Sequence, residues 1–324
     1  MGTMRLAVDV PGQKGPVDVS PDRLHELLAD RTNRLWLDIR DPGREDVELL
    51  RREFGFHELA LDEVTKPHDR PRCHAFSGYH FIVVYAAEHT GKEFLPRELN
   101  LFWGDHYLVT IHRGSATVRG LLEQARAQWE QHEQRHAYGI ACLAYAMFES
   151  LVDGYFTVQD RVREQIEGIE EAIFKGVEGA AADLFKLRKD LLRVPRLLAP
   201  TSQVLAEVMR RERAIPEGLR PYFADVQDHA QHVLAVLDTY RDLLGAALDV
   251  QIFYTFNKLG NIMKRLTAVT VIIMVPNFVA SMYGMNFAHL YPPSEWSLGF
   301  VVVGAFLLCM VAWGFIHSRM LGWL

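Results

Sequence analysis

A chain of 324 residues has room for a large folded domain beside any membrane segment. Its 35 Lys and Arg stand against 41 Asp and Glu, a formal net charge of -6, so there is no basic surface to argue for a nucleic-acid partner. Three cysteines, Cys73, Cys142 and Cys309, lack paired spacing and read as reduced thiols, which excludes a disulfide framework or a zinc knuckle.

Residues 1–135 alternate strand and helix signals. RLAVDV, RLWLDI, YHFIVVYAA and NLFWGDHYLVTIH are short apolar or alternating runs, whereas PDRLHELLAD, DVELLRREF and HELALDEVTK carry helical spacing behind acidic starts. The pattern predicts an α/β domain with a mixed sheet, and no glycine-rich loop opens any of its helices to hold a nucleotide. No charged-then-apolar leader precedes the first strand, so this domain is not expected to be exported.

From residue 136 the texture is helical and predicts a stalk over 136–265. Tyr155, Val158, Val162, Ile166, Ile169 and Ile173 make one apolar stripe with glutamates between them. Gly176 and Gly179 break it, and Pro195 and Pro200 are expected to shorten or kink the helices after that break. A long helix then starts at Pro221, its stripe of Val226, Ala230, Val233, Leu237, Tyr240, Leu244 and Ala247 nearly heptad. Across the stalk boundary, His132, Glu133 and His136 satisfy H-E-x-x-H, the pattern in which two histidines on one helix share a zinc and the glutamate acts as base. The polar surroundings and the lack of a third ligand rank a metalloprotease low.

The last sixty residues hold two uncharged runs. The first, Leu266 to Tyr283 within a span set at 266–285, is about 27 Å long as a helix, close to the thickness of bilayer hydrocarbon. A loop at 286–297 separates it from a second span at 298–316, and 317–324 is a short tail. Lys258, Lys264, Arg265 and Arg319 flank the spans, while the loop carries no Lys or Arg and one carboxylate, Glu295. The positive-inside rule therefore puts both termini in the cytoplasm and the loop outside. Met263, Leu266, Thr270, Met274, Asn277, Ser281 and Gly284 share one face of the first span, mixing polar and small groups with Met and Leu. Such a face suits a water-filled path, with a helix-packing seam as the other reading. Two helices cannot enclose a path, so function implies several copies about an axis.

Tyr283-Gly284-Met285-Asn286 at the outer end of the penultimate span resembles the CorA family of divalent-cation transporters. Residues 263–267 (MKRLT), 221–229 (PYFADVQDH), 151–156 (LVDGYF) and the HELALDEV stretch extend the likeness over most of the chain. The resemblance implies a homopentamer in the lipid bilayer that passes Mg2+, with a selectivity filter of Gly284, Met285 and Asn286. It implies hydrophobic gates at Met263, Leu266 and Met274, polar stations at Thr270, Asn277 and Ser281, and no enzymatic activity. Neutral oxygens suit magnesium, which dehydrates reluctantly and can be held through its water shell. A regulatory metal is implied at Asp225; its N-terminal partner is left open, with Glu88 as one candidate, and Asp228 one turn on reads as an ordinary solvated carboxylate. The outer loop departs from the family in being poor in acid, and His289 within it keeps Zn2+, Co2+ or Ni2+ as alternative cargoes. A membrane-anchored metal sensor is the competing class.

Overall fold

The computed structural model describes residues 2–10, 15–66, 68, 70–90, 93–132, 135–177, 179–210, 215–283, 285 and 297–323. The chain divides into two compact units, Met1–Gly245 and Ala246–Leu324, and one helix passes from the first into the second.

In the first unit, β1 (Thr3–Asp9), β2 (Val17–Val19), β3 (Arg34–Arg40), β4 (Arg72–Phe76), β5 (Tyr79–Thr90), β6 (Glu93–Gly104) and β7 (Tyr107–His112) form a seven-stranded sheet in the order β2-β1-β3-β7-β6-β5-β4. The sheet is mixed: β3 and β7 run parallel, and the other described pairs are antiparallel. The run NLFWGDHYLVTIH is two strands, because Asp105 and His106 turn the chain so that β7 pairs back on β6, Trp103 opposite Leu108. Strands β2 and β4 give no period-2 signal, since both lie at sheet edges and neither has an alternating face to bury.

Helices α1 (Leu24–Ala29), α2 (Arg44–Phe54) and α3 (Glu58–Val64) fall where the acidic starts and apolar spacing predict them. Neighbouring residues of a strand point to opposite faces, and β6 shows how each face is covered. Phe102 stacks on Phe56, between α2 and α3, with ring centroids 4.2 Å apart, whereas Trp103 stacks on Phe223 at 6.0 Å on the other face.

That second face carries α4 (Ala116–Gln131), α5 (Arg135–Tyr138), α6 (Ile140–Phe174), α7 (Ala180–Leu191) and α8 (Arg193–Met209), followed by the start of α9 (Arg220–Tyr283). Along α6, Tyr155, Val158, Val162, Ile166 and Ile173 are buried, and the Tyr155 hydroxyl donates to the Tyr85 carbonyl on β5 at 2.7 Å. Pro195 sits in the first turn of α8, where a missing N–H costs nothing, and Pro200 is accommodated inside that helix, so neither ends it. In α9 the stripe Val226, Ala230, Val233, Leu237 and Leu244 is buried.

The second unit holds the rest of α9 and α10 (Ser297–Met320). At 64 residues α9 is about 96 Å long at 1.5 Å per residue, and it continues through Pro276. Both α9 and α10 contain windows long and apolar enough to cross a membrane.

Candidate ion pathway and regulatory face

The side of α9 that meets α10 is set by size. A Cβ on Gly314 of α10 would lie 3.2 Å from Ile272 Cγ1, so the two backbones approach closely there. Ala268, Ile272 and Pro276 line the cleft shared with α10; Ala268 is buried, and Ile272, Pro276 and Val279 are partly covered. These residues recur at four and three positions and form one seam.

Met263, Leu266, Thr270, Met274, Asn277 and Ser281 are all exposed within this chain. At 100° per residue they centre roughly 170° around α9 from the α10 seam. The mixed polar face is thus not the surface on which the two spans pack. The Thr270 hydroxyl donates to the Leu266 carbonyl at 2.8 Å, which satisfies its donor within the helix and leaves the oxygen free to accept. Of the filter residues, Met285 is exposed and its N–H reaches the Met282 carbonyl at 3.3 Å, a last helical turn. Gly284, Asn286, His289 and Glu295 lie outside the described residues.

The two carboxylates assigned to a regulatory metal are placed differently. Asp225, in the second turn of α9, is 67% exposed, with His229 Nε2 3.8 Å away one turn on. Glu88, on β5, is 19% exposed, forms an ion pair with the Arg97 guanidinium across the hairpin, and accepts from the Ser115 hydroxyl at 3.4 Å. Within one chain, then, Glu88 is already neutralised and Asp225 is not. No group of three His, Cys, Asp or Glu among the described residues is arranged to hold a metal ion.

Around Asp225 the structure adds groups that spacing alone did not single out. His229 lies edge-on to Phe156, with centroids 5.7 Å apart. The Tyr145 hydroxyl donates to Glu149 at 2.6 Å, and burial, that carboxylate and the charge of Asp225 together push the Tyr145 phenol well above its ordinary range. On the next turn of α6, burial raises the Asp153 carboxyl, opposed by the charge of His229 and a hydrogen bond from Gln124. The i, i+4 spacing of Asp225 and His229 was the available signal.

The H-E-x-x-H reading fails on backbone geometry. Helix α4 ends at Gln131, and His132 is its C-cap with extended backbone (φ -68°, ψ 116°), so the two histidines do not share one continuous helix. The His132 ring packs edge-on against Tyr138 and Tyr222, at 5.9 and 6.1 Å. Glu133 and the His136 side chain lie outside the described residues.

Over its whole length the chain matches the structure of the CorA magnesium transporter from Methanocaldococcus jannaschii, with a TM-score of 0.83, 22% identity and full coverage of both chains. The class is that of a membrane protein in which a large extramembrane α/β domain leads through one long helix into a two-helix C-terminal membrane segment. The family model described as CorA-like Mg2+ transporter protein matches residues 33–318, and the chain belongs to that family of divalent-cation transporters, which are not enzymes. Among its relatives are the Bacillus subtilis protein YfjQ, 29% identical over 299 residues covering 89% of each chain, and the cobalt/magnesium transport protein CorA of Thermotoga maritima, 26% identical over 292 residues covering 85% of this chain and 79% of the relative.

Proposed function

We propose that this chain assembles as a homopentamer in the cell membrane, both termini cytoplasmic, and conducts Mg2+ through a pore lined by the first membrane span of each copy. The observation that carries the reading is the position of the mixed face of α9, turned away from α10. Polar groups at membrane depth need protein or water, and the chain's own second span does not supply it. Neighbouring copies of the same face about an axis do, and closed rotational symmetry gives each copy the same environment.

In this arrangement Met263, Leu266 and Met274 are apolar rings that close the path by dewetting, and Thr270, Asn277 and Ser281 accept from a hydrated ion between them. Gly284, Met285 and Asn286 form the outer mouth, where neutral oxygens grip the water shell of Mg2+ without stripping it. Glu295 is the one carboxylate of the outer loop. Asp225, exposed and close to His229, is the carboxylate available for a metal that holds subunits together and closes the pore, while Glu88 contributes through Arg97 rather than as a bare ligand. The same frame accommodates Co2+, Zn2+ or Ni2+, and the imidazole of His229 beside Asp225 favours such ions at the regulatory face over Mg2+.

Reconstituted liposomes test the reading. Magnesium uptake is expected in the parent and its near-complete loss in Asn286→Ala with the oligomer intact. Equal flux in parent and variant removes the mouth assignment, and no flux of any divalent ion in the parent leaves the membrane-anchored sensor.

A further inference from the structure

Beside the close approach of Gly314 to Ile272, α9 and α10 enclose an apolar cleft of about 160 Å³. On α9 it runs from Ala268 to Pro276, about 12 Å at 1.5 Å per residue, and Val271 and Val275, both exposed, stand along it. A bilayer core is about 30 Å thick, so the cleft has the depth of one leaflet. Consecutive spans of one chain cross a membrane in opposite directions. The start of the span on α9 therefore shares its leaflet with the end of α10, and the cleft lies in the leaflet that α9 enters first.

Where the cleft reaches the surface of that leaflet its lining changes from aliphatic to aromatic and polar. Trp313 and His317 stack with ring centroids 5.3 Å apart and planes 6° from parallel, forming one flat wall. Gly322, at φ 67°, ends α10 in the left-handed conformation: its N–H donates to the Arg319 carbonyl at 3.1 Å, and the Trp323 N–H donates to the Ser318 carbonyl at 2.9 Å. This turn brings Trp323 back to line the cleft. Indole and imidazole at the water edge of hydrocarbon suit a lipid headgroup. Charge lies on the same side. Lys264 precedes Val271 and Val275 by seven and eleven residues, and Arg265 stands in the same relation to Ile272 and Pro276, so each lies within about 20° of its pair around α9. Both cations are exposed, and the sequence has no Asp or Glu between Asp249 and Glu295 to neutralise them locally.

An apolar slot at membrane depth is covered by hydrocarbon or by protein. Copies that meet through the mixed face, centred roughly 170° around α9 from the α10 seam, leave the cleft to the bilayer. We infer that the cleft holds an acyl chain of an anionic phospholipid, with its phosphate at the end marked by Lys264, Arg265 and His317. The inference rests on the proposed assembly through the mixed face and not on which ion is conducted.

Native mass spectrometry of the purified full-length protein in detergent tests it, with palmitoyl-oleoyl phosphatidylglycerol and phosphatidylcholine added in equal amounts. Phosphatidylglycerol is expected to be retained about tenfold more strongly than phosphatidylcholine and to saturate at one lipid per chain. Val275→Phe fills the cleft and is expected to lose most of the bound lipid of either kind. The double variant Lys264→Gln, Arg265→Gln is expected to keep lipid and lose the preference, and this arm decides the question by itself if the phenylalanine variant fails to fold. Equal retention of the two lipids by the parent, an unchanged load on Val275→Phe or an unchanged preference in the double variant overturns the inference. The same spectra count the copies. An intact oligomer without the lipid preference overturns this inference alone, and a single copy that keeps the lipid supports it while overturning the assembly.

Discussion

His112, at the end of β7, shows how a single residue ties sheet to loop. Its Nε2 lies 3.5 Å from Asp38 on the parallel neighbour β3, and Thr110 bridges the Trp36 indole to the other Asp38 oxygen at 3.1 and 2.5 Å. Burial pulls the imidazole down, but the Asp38 carboxylate outweighs it, and the net shift is upward. A histidine whose folded pKa is raised contributes stability that is fully present below its unfolded value, about 6.5, and is lost as pH rises through the folded value. The melting temperature of the parent is therefore expected to exceed that of His112→Asn most below pH about 6.5, with the gap closing as pH rises above that. A gap that stays constant over that range shows that the Asp38 contact carries no charge dependence. Residue types at these positions are plain in the sequence, but their pairing is not. Asp38 and His112 meet only because β3 and β7, which start at residues 34 and 107, are made neighbours by the sheet. Glu88 is the same case: its identity was legible, and its capture by Arg97 across the β5–β6 hairpin was not.

At the scale of an element, α9 carries two stripes on one helix, and they do different work. Its first part follows the nearly heptad stripe that the sequence shows, and that stripe is buried as far as Leu244. Farther along, the sequence shows the mixed face but not which side meets α10, since the second span is apolar all round and has no stripe of its own to match. The choice rests on Gly314, where a side chain of any size pushes against Ile272. Gly314→Ala is expected to be nearly neutral, because the Ile272 side chain can give by a few tenths of an ångström, whereas Gly314→Leu is expected to cost about 1–3 kcal/mol through overpacking. Thermal unfolding of the two variants in detergent measures this. Equal losses, or none in the leucine variant, place the helix contact elsewhere. The H-E-x-x-H stretch marks the limit of motif reading at this scale. Five residues match a helical zinc pattern, yet the backbone leaves the helix at the first of them.

For the whole molecule, one long helix belongs to both the extramembrane unit and the membrane unit. If metal at Asp225 biases packing between copies, its removal is expected to weaken closure by internal Mg2+. Asp225→Ala is predicted to shift the inhibition curve in liposomes to higher internal Mg2+ by about tenfold, a coupling of about 1.4 kcal/mol, with outward-facing selectivity unchanged. Superimposable curves for parent and variant put the control elsewhere on the first unit. His229→Ala is expected to spare inhibition by Mg2+ and to weaken inhibition by Co2+ or Ni2+, because the imidazole is a ligand for the latter ions.

Local pattern alone determined the mixed α/β domain, the helical stalk, the two apolar spans and the mixed face of the first span. Periodicity, charge and apolar length are properties of neighbouring residues, and they survive without knowledge of what those residues touch. Tertiary structure alone decided the strand order, the split of NLFWGDHYLVTIH into two strands, the neutralisation of Glu88, the broken helix at His132 and the orientation of the mixed face away from α10. Each of these depends on which distant segments pack together, a choice made by burial and steric fit over the whole chain.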